Sequence, residues 1–223
     1  MIEQLRKRGY GYGSGVLSPD ARQFIVNIPK NASSYILDWA SRHKWTAAEI
    51  LEHPRCNDVQ EVIVVLRDPL SRWISGIGQY LTSYVLNVNG AYSWETGPGP
   101  HDQFLTGDEF IANYNPVVER LLFDNLDRHD DHVWPQVEFI ENLLPTVPKR
   151  YFYIDTNFNI EFGEYLNFTY VDNLDSNSGD TNPDTLKVQQ FIKSRLSIRP
   201  ELRQRVVDAY ARDYKLIKEV FNA

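Results

Sequence analysis

A single cysteine, Cys56, stands in a chain of 223 residues, so neither an internal disulfide nor a cysteine-built metal cluster can form. A reducing compartment follows. No stretch approaches the ~20 apolar residues that a membrane-spanning helix needs, and Met1 to Gly15 is polar and glycine-rich, without the apolar centre of a signal peptide. The expectation is a cytoplasmic protein with no membrane partner. Positive charge is also short: 23 Lys and Arg against 30 Asp and Glu leave a formal net charge of −7, which argues against nucleic acid as a partner. Any anion site must therefore be a local basic pocket. A Gly-x-x-x-x-Gly-Lys-Ser/Thr loop is missing too, which removes the usual ATPase or kinase signature. The scattered acids have no metal-ligand spacing, and no metal is expected. Asn31-Ala32-Ser33 and Asn167-Phe168-Thr169 match the glycosylation triplet, but without a secretion signal they read as chance matches.

What is present is an ordinary globular composition, 42% hydrophobic and 24% charged, long enough for one well-cored domain spanning residues 1–223. Residues 1–22, in which Gly9, Gly11, Gly13 and Gly15 alternate with Tyr10, Tyr12 and Ser14, predict a flexible lead-in. Then comes Phe24-Ile25-Val26-Asn27-Ile28, too short and too β-branched for a helix, which predicts a core strand. Pro29 stops it. Lys30, Asn31, Ala32, Ser33 and Ser34 form a small polar turn before the amphipathic run Tyr35, Ile36, Leu37, Trp39, the pattern of a helix start. Unpaired amides, a helix dipole and a lysine together suit a phosphate or sulfate.

A second unit of the same kind begins at Glu61. Val62 to Leu66 is continuously apolar, as expected of a strand buried on both faces of a parallel sheet. Arg67 ends it, Asp68 suits an N-cap, and Pro69 suits the first position of a helix expected to run to Val85. Two strand-turn-helix units with polar turns predict an α/β fold that binds its ligand at the carboxyl edge of the sheet. Further helices are expected over 45–52, 108–114, 116–125, 134–144 and 200–221, with a third strand over 150–154. Long irregular segments are expected over 87–107 and 173–184.

At this point the sequence resembles the sulfotransferases that use 3′-phosphoadenosine 5′-phosphosulfate, particularly the carbohydrate-type branch. Ile28-Pro29-Lys30-Asn31-Ala32-Ser33-Ser34 is similar to that family's 5′-phosphosulfate loop. Leu66-Arg67-Asp68-Pro69-Leu70-Ser71-Arg72-Trp73-Ile74-Ser75 is similar to its 3′-phosphate segment, with an arginine at the strand end and a serine eight positions on. Looser likenesses lie in Tyr210-Ala211-Arg212-Asp213-Tyr214 and in Asn177-Ser178, the latter in departing surroundings.

The resemblance implies a single sulfotransferase domain with a P-loop-like fold, a central parallel sheet flanked by helices. It implies that Lys30, Asn31, Ala32, Ser33 and Ser34 hold the 5′ end of the cofactor. Arg67 and Ser75 would hold the 3′-phosphate, with Asn177 and Ser178 nearby. Lys30 would also neutralise charge on the leaving oxygen. His132, in His132-Val133-Trp134-Pro135-Gln136, is similar to a histidine-and-glutamine stretch of that branch and is the candidate base; His129, His101 and Glu95 compete with it. The acceptor would be a glycan or another small molecule, stacked against the loop bearing Tyr92, Trp94 and Phe104. Lacking the anchor and disulfides of Golgi members, the chain resembles a bacterial or viral cytoplasmic enzyme, or at least one acting before export. Two other functions stay open: a non-catalytic adenosine bisphosphate-binding protein, and a nucleotide kinase.

Overall fold

A computed structural model of the chain describes residues 12–81, 106–124, 126–127, 131–167 and 182–222. Its contacts divide the chain into two compact units. Unit 1 comprises Met1–Asp68, Gln136–Ser176 and Leu216–Ala223, and unit 2 comprises Pro69–Pro135 and Asn177–Lys215.

Unit 1 is an α/β layer structure around a five-stranded sheet of order β3-β1-β2-β4-β5. The strands are β1 (Ser14–Leu17), β2 (Gln23–Val26), β3 (Thr46–Glu49), β4 (Glu61–Leu66) and β5 (Lys149–Tyr153). The sheet is mixed. β4 lies parallel to β2 on one side and to β5 on the other, while β1 runs antiparallel to both β2 and β3. The unbroken apolar run of β4 fits this place, since Val62, Ile63, Val64, Val65 and Leu66 are all buried. One face of the sheet is covered by α1 (Ser33–Arg42), which presents Ile36, Trp39 and Ala40 to Ile25, Ile63 and Val65. Helix α6 (Phe158–Tyr165) joins the same core through Phe158 and Phe162.

Two expectations are corrected here. The lead-in over 1–22 contains β1, and the helix expected over 45–52 is strand β3. In β1, Gly15 is forced by packing: a Cβ would lie 2.2 Å from the Ile25 carbonyl oxygen and 2.5 Å from Phe24 Cζ. Gly15 thus marks a close approach of β1 to β2. A tight polar turn closes the hairpin, with the Gln23 amide donating to Ser18 Oγ at 2.9 Å and Ser18 Oγ donating to Asp20 Oδ1 at 2.7 Å. For β3, Ala47 and Ala48 favour a helix locally. The pairing of Thr46 to Glu49 with Leu17 to Ser14 overrides that preference, and the positive φ of 62° at Lys44 separates the segment from α1.

Unit 2 is helical. It contains α2 (Pro69–Gln79), α3 (Gly107–Ala112), α4 (Pro116–Asp124), a 3-10 turn (Asp131–Val133), α7 (Pro183–Ile198) and α8 (Pro200–Ala209), while α5 (Gln136–Ile140) belongs to unit 1. Trp73 and Ile77 of α2, and Tyr80 just after it, share a core with Phe110, Leu122, Val188, Ile192 and Val206. The single helix expected over 200–221 is two, α8 and α9 (Ala211–Phe221), separated at Tyr210. Burying that residue explains the break, because its hydroxyl donates to the carbonyls of Leu126, at 3.0 Å, and Val133. The helix expected over 134–144 shortens to α5. Among the described residues no helix is long and apolar enough to cross a membrane.

Candidate functional site

In unit 1 the turn between β2 and α1 has an uncommon backbone. Lys30 and Ala32 both adopt positive φ, 68° and 58°, a left-handed conformation that costs a non-glycine residue roughly 1–2 kcal/mol. Left-handed residues interleaved in this way are a device by which backbone amides are curled into anion-binding concavities. The turn is closed by the Asn31 amide donating to the Ile28 carbonyl at 3.1 Å, and α1 starts with the Ile36 amide donating to Ala32 O at 2.9 Å. Ala32 is the N-cap and offers no side-chain acceptor, and the first turn holds no acid. The positive end of the α1 dipole is therefore left without the usual local compensation. Ser33 is half-buried and Ser34 exposed at that end.

Asn31 faces the other way. At 1% exposure its Nδ2 donates to Val65 O at 2.8 Å and to Gln136 Oε1 at 2.5 Å, so this side chain braces the turn from inside. Arg67, immediately beyond β4, is tied to the same place. Its guanidinium NH1 donates to the Lys30 carbonyl at 3.1 Å, its amide donates to Gln136 Oε1 at 3.0 Å, and its carbonyl accepts from Gln136 Nε2 at 2.9 Å. Thus the ends of two adjacent parallel strands carry Lys30 and Arg67 into direct contact. Tyr153, at the end of the third parallel strand, shares this edge: burial raises its phenol pKa, the carboxylates of Asp68 and Asp155 push the same way, and Arg67 opposes them.

Ser75 and His132 belong to unit 2. Ser75 is buried on α2. His132 lies in the 3-10 turn, with its Nδ1 3.0 Å from Asp131 Oδ1 and side-chain exposures of 13% for His132 and 26% for Asp131. A carboxylate beside Nδ1 favours a proton on that nitrogen, and a neutral imidazole protonated there has the form a general base requires. This turn is firmly held. Arg72, 1% exposed, donates from NH1 to Trp134 O at 2.5 Å and from NH2 to Asp131 O at 3.3 Å. Gly76 lets α2 approach so closely that a Cβ there would lie 2.3 Å from His132 O.

The structure therefore gathers Lys30, Asn31, Ala32, Ser33, Ser34 and Arg67 in unit 1, and it places Ser75 and His132 in unit 2. Asn177, Ser178, His129, His101, Glu95, Tyr92, Trp94 and Phe104 lie outside the described residues. Sequence reasoning did not single out Gln136, Arg72, Asp131 or Gly76 as supports. A polar residue fixed inside the stretch from His132 to Gln136 was the one available signal for the first of them. Among the described residues no three metal-ligating side chains gather. Comparison with protein-family models, with curated proteins and with solved structures returned no match.

Proposed function

We propose that the protein is a sulfotransferase that moves a sulfuryl group from 3′-phosphoadenosine 5′-phosphosulfate to an acceptor hydroxyl, a carbohydrate hydroxyl in the first instance, on a P-loop-like fold. The observation that carries the proposal is the 3.1 Å bond from the Arg67 guanidinium to the Lys30 carbonyl. It joins the two motifs on neighbouring strand ends, which supports a single ligand with an anionic group at each end. The donor set fits such a group: an ammonium at Lys30, a helix start with neither cap side chain nor first-turn acid, and a guanidinium whose planar fork suits a phosphate monoester.

When bound, the cofactor supplies an activated sulfuryl group, transferred in line through a loose transition state like that of phosphoryl transfer. The residues then act by position and charge. Lys30 neutralises charge growing on the 5′-phosphate oxygen as the bond to sulfur breaks, the amides at the start of α1 hold the 5′ end, and Arg67 holds the 3′-phosphate. In unit 2, Ser75 is assigned to the 3′-phosphate by the sequence pattern, and His132, oriented by Asp131, is the base that takes the acceptor proton.

Titration with adenosine 3′,5′-bisphosphate beside ATP and magnesium tests the binding half. Tight binding of the bisphosphate supports the proposal, and preference for ATP with magnesium would favour a kinase. Transfer of labelled sulfate to a panel of glycans, phenols and peptides tests the chemistry. Binding without transfer to any acceptor would leave a non-catalytic nucleotide-binding protein.

A further inference from the structure

Gln136 has no part in the proposed chemistry, yet it is 0% exposed and bonds to both halves of the unit 1 site. Arg67 follows the last residue of β4, so its backbone N–H and C=O need partners outside the ladder. The Gln136 carboxamide meets both, accepting from the amide at 3.0 Å and donating to the carbonyl at 2.9 Å. A side-chain amide carries one acceptor and one donor side by side, and here it stands in for the next residue of a neighbouring strand. The same Oε1 accepts from Asn31 at 2.5 Å, between the two left-handed residues Lys30 and Ala32. The Arg67 guanidinium closes the circuit on the Lys30 carbonyl. Lys30 enters this circuit through its backbone, so the tie fixes the turn without using the ammonium.

We propose that Gln136 is a positioning residue that straps the Lys30 turn to the Arg67 strand end at a fixed spacing, so that one ligand with two anionic ends engages both together. The identity of that ligand rests on the function proposed above; the strap does not. Two sites at fixed spacing make the second contact intramolecular, at a high effective concentration. Two sites that must first be ordered by the ligand lose that advantage.

The experiment compares the wild type with Gln136→Met, similar in size but without the carboxamide, and with Gln136→Glu. Calorimetry gives Kd for adenosine 3′,5′-bisphosphate and for adenosine 5′-monophosphate at one salt concentration, and hydrogen exchange of the ligand-free proteins reads the backbone at 30–34 and 67. Gln136→Met is expected to weaken the bisphosphate by roughly 10- to 100-fold and the monophosphate by under about 3-fold, and to speed exchange in both segments. Gln136→Glu keeps the acceptor but, when ionised, turns a second oxygen toward Arg67 O. Protonation restores a donor there, so its bisphosphate affinity relative to wild type should recover as pH falls from about 8 to about 5.5. This variant carries the test if Gln136→Met fails to fold.

A residue that only filled space would lower Tm, leave the ratio of the two affinities unchanged and show no recovery with pH. That result overturns the strap and leaves the proposed function standing. If the wild type binds neither nucleotide while exchange rises in both segments together, the strap stands and the nucleotide proposal falls.

Discussion

At the scale of single residues, side chains proposed to meet a ligand differ from residues that hold a turn in place. Lys30 is of the first kind, and its ammonium is the group proposed to stabilise the leaving oxygen. Lys30→Ala should lower kcat by about 10²–10³ while keeping the carbonyl to which Arg67 donates. Transfer at the wild-type rate would remove Lys30 from the mechanism. Gly76 is of the second kind. Alanine there would set a Cβ 2.3 Å from His132 O and 2.9 Å from the His132 carbonyl carbon, against backbone that cannot rotate away. Gly76→Ala should cost about 1–3 kcal/mol in stability through overpacking. If His132 is the base, displacing its turn should also lower kcat by ~10². Denaturant unfolding and steady-state kinetics on the same preparation read the two effects.

At the scale of elements, helix α1 shows the tension between a stable helix and an anion site. A first-turn carboxylate usually adds about 0.3–1 kcal/mol by complementing the dipole, and α1 has none. Ser33→Asp should therefore raise Tm slightly and weaken adenosine 3′,5′-bisphosphate by repelling it. Stabilisation with unchanged affinity would show that the ligand does not use this helix end. Ala32→Gly relieves the positive φ of 58° and should stabilise by up to about 1 kcal/mol, with the site retained. These elements were also the most legible in the sequence. The β2 turn and α1, and β4 with its helix, announce themselves through apolar runs that end in Pro, Lys, Arg and Asp. What stayed hidden depended on partners far along the chain: β3 is a strand because β1 lies beside it, and Gln136 matters because Asn31 and Arg67 fold onto it. No local pattern encodes either. Tyr210 likewise breaks a helix that local periodicity would continue, by reaching carbonyls 84 and 77 positions away.

At the scale of the whole molecule, each unit holds a half-buried carboxylate tied to several partners, and this shapes the expected response to acid. In unit 1, Glu61 accepts from Tyr165 OH, from Gln23 Nε2 at 3.0 Å and from Arg150 Nε at 3.0 Å, joining three strands and α6. In unit 2, Glu119 meets Arg195 at 2.7 Å and Arg199 at 3.2 Å and accepts from Tyr114 at 3.1 Å. Burial acts to raise both carboxyl pKa values, but the hydrogen bonds and cations outweigh it and both are lowered. A carboxyl lowered in the folded state stabilises fully above its unfolded value of about 4.3, and that contribution is lost as pH falls through the folded value. Glu49 runs the other way, raised by burial and by Glu52, so its protonation offsets part of the loss. General charge repulsion shrinks between about pH 7 and the pI near 5.3, because the chain carries −7 at neutrality; below the pI it grows again with positive sign and adds to the same acid limb. Tm should therefore hold or rise slightly from about pH 7 to about pH 5 and fall steeply below about pH 4. Glu61→Gln, which keeps the size and one acceptor but not the charge, should lower Tm at about pH 7 and converge on the wild type by about pH 3. An equal deficit at both pH values would mean that Glu61 acts through shape alone.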